Sequence, residues 1–168
     1  SSTSVHCDGC LTKERKSGEL TYSHGVLQGA IMHPEKKQVI PVMPEAIKNK
    51  DGTKKQDCEL NASKRFIANL RTAHPRQKFM LCGDGLMSNQ PLIEETLAGG
   101  MHYLFVAKPG NHKYLVEWLS AYDALPTTEL TDEKGNSHIY SWKNDVPLNG
   151  NKKTINVNWF QYQLKNSS

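Results

Sequence analysis

At 168 residues, with a formal charge of +4, 37% hydrophobic and 23% charged residues, the chain has the composition of a globular protein big enough to bury a real core. No apolar run approaches the length of a membrane span and the N-terminus lacks the apolar core of a signal peptide, so no membrane partner and a cytoplasmic address are expected. Four cysteines are too few for a disulfide framework at this length, and paired cations such as Lys36-Lys37 and Lys152-Lys153 suit either a polyanion partner or a solvated surface.

The chain begins Ser-Ser-Thr-Ser without Met and ends soon after a strand-like run, which predicts a fragment of a longer protein. His6-Cys7-Asp8-Gly9-Cys10 offers two thiolates at a spacing that suits zinc, with His24 and Cys58 as possible completions. Packed or surface thiols, or a redox pair, would use the same residues. The β-forming run Tyr22 to His33, the polar turn at Pro34 to Lys37 and the run Gln38 to Met43 predict an antiparallel hairpin, with Pro41 at an edge or bulge. After a lysine-rich loop over 44–56, Asp57 reads as the N-cap of a helix that carries Cys58, Ala62, Phe66, Leu70 and Ala73 on one face and stops at His74-Pro75. Lys64 and Arg71 fall on its opposite, solvent-facing side.

Phe79 to Leu86 reads as a buried strand ending at Gly83-Asp84-Gly85, followed by a helix capped by Ser88 or Asn89 and closed by Gly99-Gly100. His102 to Ala107 is a further strand, Lys108-Pro109-Gly110 a turn, and a third helix begins near Asn111 and buries Leu115, Trp118, Leu119 and Tyr122. Strand-helix alternation in this half argues for parallel pairing, joined to the earlier hairpin in one mixed sheet. Beyond Pro126, a polar stretch over 127–136 precedes two period-two runs, His138 to Trp142 and Thr154 to Phe160, which predict a hairpin-like β subdomain. The expected division is 1–125 and 126–168. Trp142 and Trp159 either pack across that hairpin or stack on bases.

Asp84, at the carboxyl end of a predicted strand, stands where α/β proteins gather ligands and catalytic groups, although a turn cap would also place an Asp there. The element order is that of a ribonuclease H-like α/β fold lacking its first strand. The runs Tyr22-Ser23-His24-Gly25-Val26-Leu27, His33-Pro34, Gln38-Val39-Ile40-Pro41, Lys55-Gln56-Asp57-Cys58-Glu59, Gly83-Asp84-Gly85-Leu86, Gln90-Pro91, Ala107-Lys108-Pro109-Gly110 and Glu117-Trp118-Leu119 keep a consistent order over about residues 5 to 122. In them the chain resembles the DDE transposases of bacterial insertion sequences, in particular those whose catalytic core is interrupted by an inserted β-strand domain.

The resemblance implies a homo-oligomeric enzyme that cleaves and joins DNA strands at transposon ends with Mg²⁺ or Mn²⁺ held by an Asp-Asp-Glu triad. Asp84 matches the second carboxylate, and no residue of this chain matches the first or third, so the fragment alone is expected to be inactive. Lys108, His112 and Lys113 could contact DNA phosphate or form an ordinary charged loop. The rival reading is a non-catalytic, zinc-stabilised DNA-binding or regulatory module resting on Cys7, Cys10 and the histidines.

Overall fold

A computed structural model describes residues 1–49 and 56–167, and the chain divides into two compact units, Ser1–Phe105 and Val106–Ser168. In the first unit, β1 (Leu11–Glu14) and β2 (Leu20–Ser23) form an antiparallel hairpin in which Leu11 pairs with Ser23. Its turn is closed by the amides of Arg15 and Gly18, and Gly18 takes φ +82°, a conformation that costs glycine little and other residues more.

The long strand expected over 22–33 is instead three short ones: β2, β3 (Gly25–Leu27) and β4 (Ala30–His33). Packing explains the break. A Cβ at Gly29 would overlap the Phe66 ring and Val42, and the Gln28 side chain donates to the carbonyls of Gly29 and Val42 at 2.8 and 2.6 Å, holding the kink. The expected hairpin forms between β4 and β5 (Lys36–Pro41), with Pro41 at its end opposite Ala30. β3 pairs separately with β6 (Glu45–Ile47), so this hairpin is a loop thrown out between the two partners.

Helix α1 (Glu59–Ala73) buries Ala62, Ser63, Ile67 and Leu70, whereas Cys58 and Ala73, both expected on the apolar face, are exposed. Cys58, not Asp57, occupies the N-cap and makes no side-chain cap bond, because the Asp57 carboxylate is drawn inward to Arg65. Arg71 also departs from expectation. Its guanidinium donates to the carbonyls of Gly99, His74, Pro75, Gln77 and Gly100 at 2.7 to 3.3 Å, tying the end of α1 to the approach to the next strand and to the exit of the second helix.

β7 (Met80–Gly83), α2 (Gln90–Ala98) and β8 (His102–Phe105) follow in the expected order, and β7 and β8 pair in parallel with Gly83 opposite Phe105, but neither strand is buried as expected: each alternates exposed with half-buried positions. Asn89 caps α2 by accepting from the Leu92 amide at 3.1 Å, and Gly100, at φ +65°, releases the chain toward β8. Leu81 and Phe105 turn to the core of Ile67, Leu70, Leu92 and Met101, while Met80, Cys82 and Leu104 face away from it. The architecture is mixed α/β. Among the described residues its strands pair as four two-stranded sheets and one of three strands, so the single mixed sheet expected from the sequence is not formed: β7 pairs only with β8. No helix among these residues is long and apolar enough to cross a membrane.

In the second unit, α3 (Lys113–Ser120) packs on an antiparallel meander of β9 (Thr127–Thr131), β10 (Ser137–Pro147) and β11 (Asn156–Lys165), with β10 in the middle. Leu115 and Leu119 meet Val146 in its core, with Trp118 and Trp159 packed against them. That contact assigns α3 to the meander, so the division falls after Phe105, earlier than the expected boundary at 125. β9 is exposed at every position, which leaves no apolar alternation by which its sequence would announce a strand. Trp159 serves the core, whereas Trp142 lies outward opposite Phe160.

Candidate functional site

Register builds the first candidate site. Extending the pairing of Leu11 with Ser23 by one step sets Cys10 across from His24. A turn closed by the Cys10 amide on the Cys7 carbonyl, at 3.1 Å, folds Cys7 back toward the same point. The Sγ atoms of Cys7 and Cys10 lie 3.5 Å apart, and each lies 3.5 Å from His24 Nε2. Two sulfurs and an imidazole nitrogen therefore converge as a group that could hold a metal ion, with Cys10 buried and Cys7 and His24 exposed. The Cys7 amide donates to Cys10 Sγ at 3.2 Å, and Asn49 donates its amide to the Gly9 carbonyl at 3.3 Å, fixing the turn. Cys58, a possible fourth ligand by sequence, is not in this group.

Asp84 stands immediately after β7, exposed, with its Oδ1 accepting from the Leu86 amide at 3.0 Å. Its carbonyl also accepts from the Met87 amide at 3.1 Å, so the loop folds tightly around it. Gly83 has to be glycine here: a Cβ would come within 2.7 Å of Met87 Cγ and 3.1 Å of the Phe105 ring. The carboxylate is thus held at the carboxyl end of the parallel pair and open to solvent. Among the described residues Asp84 belongs to no group of three or more side chains placed to hold a metal ion. Next to the β7 strand lies an apolar groove of about 160 Å³ lined by Gly29, Phe66, Leu81, Cys82, Met87 and Phe105, among others.

Lys108, His112 and Lys113 belong to the second unit. Lys108 and Lys113 are exposed, but His112 is buried at the start of α3, with no hydrogen-bond partner at Nε2, which withdraws its ring from any phosphate at the surface.

Two polar clusters went unforeseen. Asp57, its side chain fully buried, receives Arg65 at 2.7 Å and the amides of Cys58 and Lys48, while Arg65 also reaches Glu45 at 2.7 Å. Hydrogen bonding from Arg65, opposed in part by burial, lowers the Asp57 pKa to about 2. A carboxylate just before a helix and an arginine two turns into it are the only local signal for this pair. In the second unit Asp132 accepts from the amides of Lys134 and Asn136 and from the Asn136 side chain, and these bonds lower its pKa to about 2. His138 bridges Asp132 and the Tyr162 hydroxyl, at 3.3 and 2.9 Å, bracing the β9–β10 turn.

Compared with protein-family models, with curated proteins and with solved structures, the chain gives no match.

Proposed function

We propose that the chain is part of the ribonuclease H-like core of a DDE-type DNA transposase, in which Asp84 is one of the carboxylates that bind the catalytic cations. The observation that carries this reading is the position of Asp84, exposed at the carboxyl end of a parallel β-α-β unit. In open α/β sheets that edge is where ligand-binding and catalytic groups are brought together. The ordered sequence resemblance supplies the reaction class. A pair of divalent cations, Mg²⁺ or Mn²⁺, would activate the attacking oxygen and stabilise the leaving one in strand cleavage and transfer.

The donor chemistry fits in part. Asp84 offers hard oxygen, as such cations require, but one carboxylate cannot hold two ions. The reading therefore needs an Asp ending an apolar strand upstream of Ser1 and a helical Glu downstream of Ser168. It also gives an occupant to the side of β7 that is unpaired among the described residues, since that upstream strand would lie along it. DNA is the substrate, with Lys108 and Lys113 as candidate phosphate contacts that lend salt-sensitive, sequence-independent affinity.

The test uses the product of the coding sequence that spans this chain with its flanks. Mn²⁺-dependent nicking of supercoiled plasmid is expected, and Asp84→Asn should abolish it while the circular dichroism spectrum stays unchanged. Nicking retained by Asp84→Asn, or flanks without the two carboxylates, would overturn the reading.

A further inference from the structure

We propose that Cys7, Cys10 and His24 form a zinc site that staples the N-terminal arm to the β1–β2 hairpin. The inference is independent of the transposase reading, since thiolate and imidazole donors suit zinc rather than Mg²⁺ or Mn²⁺.

The geometry is that of ligands arranged about a common centre. Tetrahedral zinc, with bonds of about 2.3 Å to sulfur and about 2.0 Å to nitrogen, sets two sulfurs roughly 3.8 Å apart and a sulfur and a nitrogen roughly 3.5 Å apart. The three separations here are all 3.5 Å, within a few tenths of an ångström of that triangle. An ion at zinc–ligand distance from all three atoms would sit about 1 Å off their plane, leaving a fourth position on its far side. Among the described residues no other His, Cys, Asp or Glu joins the group, so water completes the coordination, and the exposure of Cys7 and His24 puts that position at the surface.

A simple thiol pair accounts for less. The Sγ atoms are well beyond the roughly 2.05 Å of a disulfide, and a redox pair has no need of an imidazole nitrogen equally close to both sulfurs. Free packing of thiols leaves unexplained why the exposed Cys7 and His24 converge on the buried Cys10. The amide of Cys7 donates to Cys10 Sγ at 3.2 Å, which holds that sulfur facing the other two ligand atoms.

Other contacts of the arm that such an ion would hold lie on the β1–β2 hairpin and beyond it, as with the Asn49 amide on the Gly9 carbonyl. Ser2 pairs with Tyr22 through two backbone bonds of 2.9 and 2.8 Å, and His6 stacks on the same tyrosine at 4.6 Å. Metal binding releases a folding free energy that the hairpin alone does not supply, so chelation should loosen the arm.

The test is metal content of the whole chain purified under reducing conditions, together with Co²⁺ titration read by thiolate-to-cobalt charge-transfer absorption. One zinc per chain is expected, with the cobalt bands of two thiolates. Cys10→Ser and His24→Ala should each weaken binding by about tenfold or more, taking the loss seen on disturbing even outer ligand shells as the lower bound. Cys58→Ser should leave binding unchanged, and His24→Cys, which replaces one ligand by another, should retain zinc. No zinc at stoichiometric addition, an equal loss in Cys58→Ser, or loss of zinc in a folded His24→Cys would overturn the proposal. Because none of these measurements reads DNA cleavage, they leave the role of Asp84 undecided.

Discussion

Replacing Asp57 by Asn keeps the shape of the side chain and removes its charge, which isolates what the buried ion pair contributes. In the native chain the carboxylate accepts from Arg65 at 2.7 and 3.3 Å and from two backbone amides. Its pKa is lowered from 3.8 to about 2, with hydrogen bonding from Arg65 as the largest cause. A shift of just under two units corresponds to about 2.5 kcal/mol. Because the Arg65 side chain is 36% exposed, solvent screening reduces this to roughly 1 to 2 kcal/mol. The sign follows from the depressed pKa: the contribution is complete above pH 4, where the unfolded chain is also ionised, and is lost as pH falls from 4 toward 2. The substituted amide would in addition be turned against a guanidinium that has lost its carboxylate here while keeping Glu45, so the total loss at pH 7 should be about 2 to 4 kcal/mol. Hydrogen exchange of the β6 and α1 amides, followed from pH 7 to pH 3, reads this locally. Protection should fall with pH in the native chain and be lower but flatter in the variant. Parallel pH profiles in the two proteins would refute the assignment of the acid-sensitive stability to Asp57.

Arg71→Ala removes the donor shared by five carbonyls and should cost about 2 to 3 kcal/mol in urea denaturation, with the largest gains in amide exchange around Gly99 and Gly100. Arg71→Lys should recover little of it, because a single ammonium cannot span that set. Gly29→Ala places a methyl group against Phe66 and Val42 and should cost about 1 to 3 kcal/mol, whereas Gly110→Ala, which meets nothing within 4 Å, should be near neutral. Equal effects at the two glycines would show that the kink at Gly29 is not set by the Phe66 contact.

Where local patterning decides structure, the sequence was readable. The β7-α2-β8 unit could be placed because short apolar runs, an Asn cap and a Gly-Gly exit are all local signals, and the pair Cys7 and Cys10 with His24 was visible as ligand types at suggestive spacing. What closes that site is a register between β1 and β2, which sequence spacing alone does not give. Asp57 misled for a related reason. An Asp before a helix is ordinarily its cap, and only the approach of Arg65 and the Lys48 amide, set by the β3–β6 pairing, turns it inward. The break in the 22–33 run depended on the bulk of Phe66, far along the chain in α1, and β9 was hidden by having no buried face.

The same distinction governs how far Asp84 can act. A metal-binding carboxylate must be held within about half an ångström of its working position, and rigidity of that order comes from the element beneath it. Two strands alone are a weak platform, and parallel strands are normally covered on both faces. β7 and β8 rest on the core through Leu81 and Phe105, but Met80 and Leu104 are 61% and 58% exposed on the other face. Gly83 gives local precision by letting Met87 and Phe105 close around the strand end, and the Leu86 amide fixes one carboxylate oxygen. On the proposed reading, a further strand along the open side of β7 would supply the rest of that rigidity and bring the next carboxylate within reach of the same ions. Positioning of Asp84 and completion of its ligand set would then be one event, so cation affinity should rise together with amide protection in β7 when the upstream segment is joined to residues 1–168. A gain in protection with no gain in affinity would separate the two and leave Asp84 as a turn-forming residue.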